Sequence, residues 1–279
     1  MPRSAFLLTT MAFGYAFLYL PILLLIVYSF NESRLVTVWA GFSTQWYREL
    51  AANEQVLSAA WLSLRIAAVQ ATVAVVLGTM GGYAMVRFRG FPGRVLFAGM
   101  LTAPLVMPEV ITGLSQLLLF ISMEQWIGWP SGRGVTTITI AHITFSMAYI
   151  AVVVQSRLVG FDRSIEEAAM DLGARPLKTF AVITLPIIAP ALVAGWLLAF
   201  TLSLDDLVIA SFVTGPGATT LPMYIFSSVR LGVSPEINAL ATIIVGIVAT
   251  GILVAGVVLM RHERRRQEDA QAAFRDDDG

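Results

Sequence analysis

Long apolar stretches, each closed by charged residues, divide the chain. They run near 5–30, 59–86, 95–121, 135–156, 187–213 and 238–260, and each reaches the ~20 residues that a helix needs to cross hydrocarbon. The pattern predicts an all-α membrane protein with six transmembrane helices. The first stretch is too long for the ~7–15-residue core of a signal peptide. No small-residue cleavage site follows it before Asn31-Glu32-Ser33-Arg34, so it reads as a retained anchor helix. Pro21, Pro104, Pro108 and Pro190 lie inside the stretches and predict kinks, tolerated where neighbouring helices re-satisfy the freed carbonyls. Gly78 and Gly82 form a small-xxx-small pair that admits a second helix close to the backbone. The predicted organisation is an anchor helix with an outward loop at 1–58, a core of five spans at 59–260 and a charged tail at 261–279.

Composition agrees with a lipid setting. The chain is 57% hydrophobic and 13% charged, with no cysteine, whereas a soluble domain has roughly 45–50% and ~25%. This excludes a water-soluble globule, a disordered chain and a disulfide-stapled domain. A formal net charge of zero offers nucleic acid no electrostatic footprint. The placement of charge is more informative than its sum. Arg3, Arg87, Arg89, Arg94, Arg157, Arg163, Arg175, Lys178, Arg261, Arg264, Arg265, Arg266 and Arg275 fall on one side of the predicted spans, and Arg34, Arg48, Arg133 and Arg230 on the other. Basic residues near span ends stay in the cytoplasm, so both termini are expected there. The segments 31–58 and 214–237 then face outward, and 157–186 becomes the one substantial cytoplasmic loop.

Within that loop Ser164 and Glu167 have capping-box spacing, and Gly173 stands where a left-handed helix stop belongs. A helix over 165–172 is predicted. Its i, i+3, i+4, i+7 positions, Ile165, Ala168, Ala169 and Leu172, form one face, with Glu166, Glu167, Met170 and Asp171 opposite. Arg175-Pro176 starts a second helix, because proline suits a first helical turn. The result is a two-helix elbow. Its small-residue face either receives a partner or lies on its own bundle.

Glu167-Ala168-Ala169, three residues, Gly173, nine residues and Ile183-Thr184-Leu185-Pro186 resemble the EAA loop of ABC importer permeases. In that family the loop is a coupling helix that docks on an ATP-hydrolysing subunit. The resemblance implies a coupling set of Glu167, Ala168, Ala169, Asp171, Gly173 and Pro186. The segments Pro104–Gly113, Ser203–Phe212 and Ser234–Thr242 resemble the polyamine branch, most closely the second permease class of putrescine importers. That implies a type I ABC importer permease fold in a bacterial inner membrane. It also implies a second related permease subunit, an ABC ATPase dimer and a periplasmic polyamine-binding protein as partners. ATP and Mg would sit on the ATPase, with no cofactor on this chain.

Acids inside a span are costly and usually face a cavity or a partner. Asp205 and Asp206 in the fifth span, and Glu109 beside Pro108 in the third, are therefore candidates for a substrate path. Adjacent residues on a helix point about 100° apart, so one aspartate is expected on the path and the other paired, with Arg65 or with a neighbouring subunit. For the diammonium substrate that the resemblance implies, carboxylates and aromatic faces replace water. Tyr83, Tyr149, Phe200, Phe212 and Tyr224 are wall candidates. His142 reads as hydrogen-bonded packing, with a proton relay as the other reading. The turn-rich segment 214–222 is either a surface for a soluble partner or a plain connection, and the basic start of the tail a membrane-surface anchor. The sole lysine, Lys178, follows Leu177 rather than glycine, so there is no phosphate-cradling loop. No catalytic triad or metal-ligand spacing is found, and the chain is expected to be non-catalytic. A spermidine-preferring permease, an ion-coupled amine carrier and a membrane scaffold are the alternatives.

Overall fold

The computed structural model describes residues 3–35, 38–88, 90–232, 234–251 and 253. The charged tail at 261–279, Arg89 and the end of the predicted sixth span lie outside them. Among the described residues the chain is helical, with an isolated bridge between Asn31 and Phe42 in place of any sheet. It divides into two compact units, one formed by residues up to Glu54 together with those from Ser228 onward, the other by Gln55–Ser227.

The first unit opens with α1 (Arg3–Tyr28), whose most apolar window contains no buried residue. A helix with an apolar surface all round needs an apolar solvent, which the bilayer supplies. The segment after it, read from sequence as a loop, contains α2 (Gln45–Ala52), which buries Trp46 and Leu50 at i, i+4 spacing. Asn31 holds this region together. Its amide donates to the Val38 carbonyl at 2.7 Å and accepts from Ala40 N–H at 3.0 Å, while Trp46 Nε1 donates to the Asn31 carbonyl at 2.6 Å. The described part of the predicted sixth span, α12 (Pro235–Gly251), completes the unit.

In the second unit, α3 (Glu54–Arg87) and α6 (Val135–Val159) are long enough to cross a membrane. The predicted third span is two helices, α4 (Arg94–Val106) and α5 (Glu109–Ile127). The break falls at Met107-Pro108, because a proline removes a backbone donor and turns the residue before it to extended backbone. After α7 (Ser164–Asp171) and α8 (Pro176–Thr179) comes one π-helical turn, Phe180–Thr184, continuous with α9 (Leu185–Asp205). Pro186 explains that turn. Lacking an N–H for the Val182 carbonyl, it shifts the ladder by one residue, and Leu185 N–H bonds the Phe180 carbonyl instead. The predicted fifth span also ends early. α9 stops at Asp205, and a separate short helix, α10 (Val208–Val213), follows, then α11 (Leu221–Leu231), which crosses the boundary between the units.

α6 packs against α4, α9 and α10, and α10 against α5. One apolar cluster gathers Ile66, Phe120, Ile138, Phe145 and Ile209; a second gathers Ala71, Ala74, Ile150, Val154 and Ile188. The Gly78/Gly82 pair faces α6, as its spacing suggests. A Cβ on Gly78 would sit 2.6 Å from Ile150 Cβ, and one on Gly82 2.8 Å from the Ala151 carbonyl. The segment 214–222 is pinned rather than free: the Val213 carbonyl accepts from Thr137 at 2.6 Å, and Leu221 N–H donates to Ser63 at 2.8 Å.

Because a backbone atom cannot retreat, Gly82→Val is expected to overpack the α3–α6 contact and destabilise by about 1–3 kcal/mol. Thermal unfolding in detergent should show a lowered midpoint for it and none for Gly99→Ala, where the added Cβ meets nothing within 4 Å.

Candidate functional site: the elbow and the helix-break acids

The elbow is built from α7, α8 and the π turn, all in contact with one another. Gly173 takes φ +88°, the left-handed stop that ends α7. The N-terminal cap differs from the expected one. Asp162 Oδ1, not Ser164, accepts the Ser164 N–H at 2.9 Å, and that bond holds the Asp162 carboxyl below its ordinary value of 3.8. Glu167 pairs with Arg163 one turn back at 3.0 Å on an exposed surface, a contact of small energetic weight.

Of the two alternatives left open for the small-residue face of α7, lying on the bundle or being left for a partner, the structure shows the second: Ile165, Ala168 and Leu172 are exposed, and one acid of the opposite face is what turns inward. Glu166, grouped from sequence with Glu167, Met170 and Asp171 opposite the small-residue face, is 5% exposed, whereas those three stay exposed; Leu172 is 91% and Leu177 80% exposed. The reason is charge pairing. Glu166 Oε2 lies 3.0 Å from Nε of Arg87, the last residue of α3, and Oε1 accepts from the Thr184 hydroxyl at 2.5 Å. The Arg87 guanidinium also lies over the Phe161 ring, 5.6 Å from its centroid. Removing one member of such a buried pair leaves the other charge uncompensated, at about 3–5 kcal/mol. Among the coupling residues taken from resemblance, Glu167, Ala168, Asp171 and Gly173 are exposed, Ala169 is half-buried, and Pro186 stands in the first turn of α9.

The second constellation lies where helices break. Asp205 and Asp206 do not share a helix face, since α9 ends between them and Asp206 takes an extended backbone. Asp206 finds its partner in His142, with Nε2 to Oδ2 at 3.0 Å, rather than in Arg65. Its carboxylate also accepts the N–H groups of Ile209 at 3.2 Å and Ala210 at 2.8 Å, so it caps α10. A carboxylate only accepts, so His142 Nε2 carries its proton; in the neutral ring Nδ1 accepts from the Ser203 hydroxyl, 2.7 Å away. His142 is thus hydrogen-bonded packing with a defined task. Asp205 is exposed at the end of α9. Glu109 is not at mid-span but in the first turn of α5, exposed, where the helix dipole favours a carboxylate. Arg65 lines a cleft of about 530 Å³ with Trp61 and Tyr224.

Sequence reasoning missed Arg87, Glu166, Thr184 and Ser203 as partners, and used Arg87 only as a topology signal. An aspartate three residues before Ile209 is a helix-cap signal that was present for Asp206. Nothing in the spacing marks Glu166 against Glu167.

These features define a multi-pass membrane protein whose predicted fifth span is broken at a buried polar contact and whose 157–186 connection forms an elbow with exposed apolar residues. The family model described as "Binding-protein-dependent transport system inner membrane component" matches residues 74–268, and the chain belongs to that family. It is 60% identical over 273 residues, 98% of this chain and 97% of the relative, to the "Putrescine transport system permease protein PotI" of Escherichia coli K12. It is 42% identical over 251 residues, 90% of this chain and 92% of the relative, to the "Spermidine/putrescine transport system permease protein PotC" of the same organism. The fold resembles a chain of the bacterial alginate ABC transporter in complex with alginate pentasaccharide-bound periplasmic protein. That match has a TM-score of 0.67 at 18% identity, over 90% of this chain and 91% of that one. A chain of the MetNI methionine ABC transporter matches at a TM-score of 0.57 and 16% identity, over 74% of this chain and 94% of that one.

Asp206→Ala strips α10 of its cap and leaves His142 without an acceptor, an expected loss of about 1–3 kcal/mol. Thermal melting in detergent should separate it from Asp205→Ala, which should melt like the parent. Asp162 titrates lower in the folded chain than unfolded, so its cap is complete above the ordinary value of 3.8 and is lost as pH falls through the lowered one. Asp162→Ala should therefore lower the amide protection factors in the first turn of α7 at neutral pH, and acidification should lower them in the parent once the intrinsic exchange rate at each pH is divided out.

Proposed function

We propose that this chain is one of two permease subunits of an ATP-driven importer that carries putrescine from periplasm to cytoplasm across a bacterial inner membrane. Both termini and the elbow are then cytoplasmic, the side to which the basic residues assign them. The observation that carries the reading is the elbow with its apolar face turned away from the bundle, in a chain 60% identical to a putrescine permease. Ile165, Ala168, Leu172 and Leu177 form a surface that excludes water only when a partner covers it. Glu167, Ala168, Ala169, Asp171, Gly173 and Pro186 form or shape this contact with an ABC ATPase dimer. The ATP and Mg belong to that partner, and this chain is non-catalytic.

The greater identity to the putrescine permease than to the spermidine/putrescine permease, 60% against 42%, favours putrescine over spermidine. Asp205 and Glu109, exposed at two helix breaks, are the acids free to meet a diammonium ion. Asp206 acts through the shape of the break, since its oxygens are already engaged. Contacts of this kind are weak enough to let the substrate leave, which conduction requires. Selection then falls to a periplasmic binding protein, and direction comes from alternating access as ATP binding drives the elbows of the two permeases.

The test is uptake of labelled putrescine and spermidine into proteoliposomes holding the chain with its copurifying subunits and binding protein, with and without trapped ATP. Uptake that requires ATP and favours putrescine is the expected result, and uptake that follows an ion gradient without ATP overturns it. Leu172→Asp places a charge in the docking face, and the ATPase should then fail to copurify while the permease remains in the membrane.

A further inference from the structure

Of the three acids in the elbow helix, Glu167 and Asp171 are exposed, and Glu166 is turned into the bundle. Its two oxygens go to two different elements. Oε2 meets Arg87 at the end of α3, and Oε1 takes the hydroxyl of Thr184, the last residue of the π turn that leads into α9. The seat around this carboxylate is tight. Phe161 lies under the guanidinium, and Tyr83, one turn earlier on α3, packs edge-on against Phe180 of the π turn with ring centroids 5.1 Å apart.

α9 runs from this seat for 21 residues, about 31 Å at helical rise. It is tied to α3 on the way, with Gln70 donating to the Ala199 carbonyl at 2.6 Å and Trp196 Nε1 to Thr72 at 3.1 Å. At its far end, Ser203 and the following Asp206 are both held by His142. One uninterrupted helix, with Pro190 inside it, therefore connects the elbow to the break that presents Asp205. Packed interiors transmit a displacement rather than absorb it.

From this geometry we propose that the Glu166 carboxylate is the node through which movement of the elbow enters α9 and reaches the Asp205–Asp206 break. Its partners are Thr184 for α9 and Arg87 for α3. The proposal rests on the coupling reading above and makes Glu166 a positioning residue, which touches neither ATP nor amine. The docking face and the node lie on opposite sides of α7, so the ATPase pushes on one and the bundle is pulled by the other.

The discriminating quantity is putrescine taken up per ATP hydrolysed by the complete complex in proteoliposomes. A residue that merely braces the fold lowers the amount of complex and leaves this ratio alone. Thr184→Val removes the hydroxyl and keeps the side-chain shape. Glu166→Gln keeps an acceptor for Thr184 and removes the charge facing Arg87. Each is expected to lower the ratio on the order of fivefold, within the range by which single residues modulate coupling between sites. A parent-like ratio in Thr184→Val, or in Glu166→Gln where that complex assembles, overturns the proposal. The coupling reading itself is judged by the parent complex, whose uptake must require ATP, so the two failures are distinguishable.

Discussion

Hydrocarbon contains no water to bond a stray carbonyl or solvate a charge, so a helix break or an ion at membrane depth must find its partner within protein or face a water-filled cavity. The second unit of this chain follows from that constraint. Pro186 denies the Val182 carbonyl its donor, and the chain answers with a π turn rather than a kink open to lipid. The interruption after Asp205 is closed by the Asp206 carboxylate, which gathers the next helix's N–H groups and is itself gripped by His142. Arg87 and Glu166, each costly alone, are placed against one another. Two of the irregular points of the fold, the π turn and the break after Asp205, are therefore also points of buried polar contact.

The elbow shows the same economy turned to assembly. An amphipathic helix on a protein surface ordinarily buries its apolar stripe and shows its acids to water. Here an acid is the attachment, because a buried arginine at the end of α3 requires a counter-charge, and the apolar residues are left outside. In the proposed importer the ATPase covers them.

The two adjacent aspartates have opposite tasks. Asp206 spends its lone pairs on backbone N–H groups and a histidine, and holds the break in shape. Asp205, one residue earlier, is left at the exposed end of α9. In the proposed importer, Asp205 is the acid of the pair left for a passing cation, and Asp206 keeps the break in shape.

Apolar run length and basic-residue placement determined the all-α membrane class and the approximate spans, because hydrocarbon thickness and charge retention act on the chain locally, before any packing. Gly78/Gly82 and Gly173 were legible for similar reasons: a small-residue spacing and a glycine helix stop each express a backbone requirement. The division of the third and fifth spans, the burial of Glu166 and the pairing of Asp206 with His142 were decided only by tertiary structure. The partners involved are 79 residues apart for Arg87 and Glu166 and 64 for His142 and Asp206. No periodicity of 3.6 connects such positions. Which acid turns inward depends on where another helix happens to end, a matter of packing in three dimensions that a one-dimensional pattern does not contain.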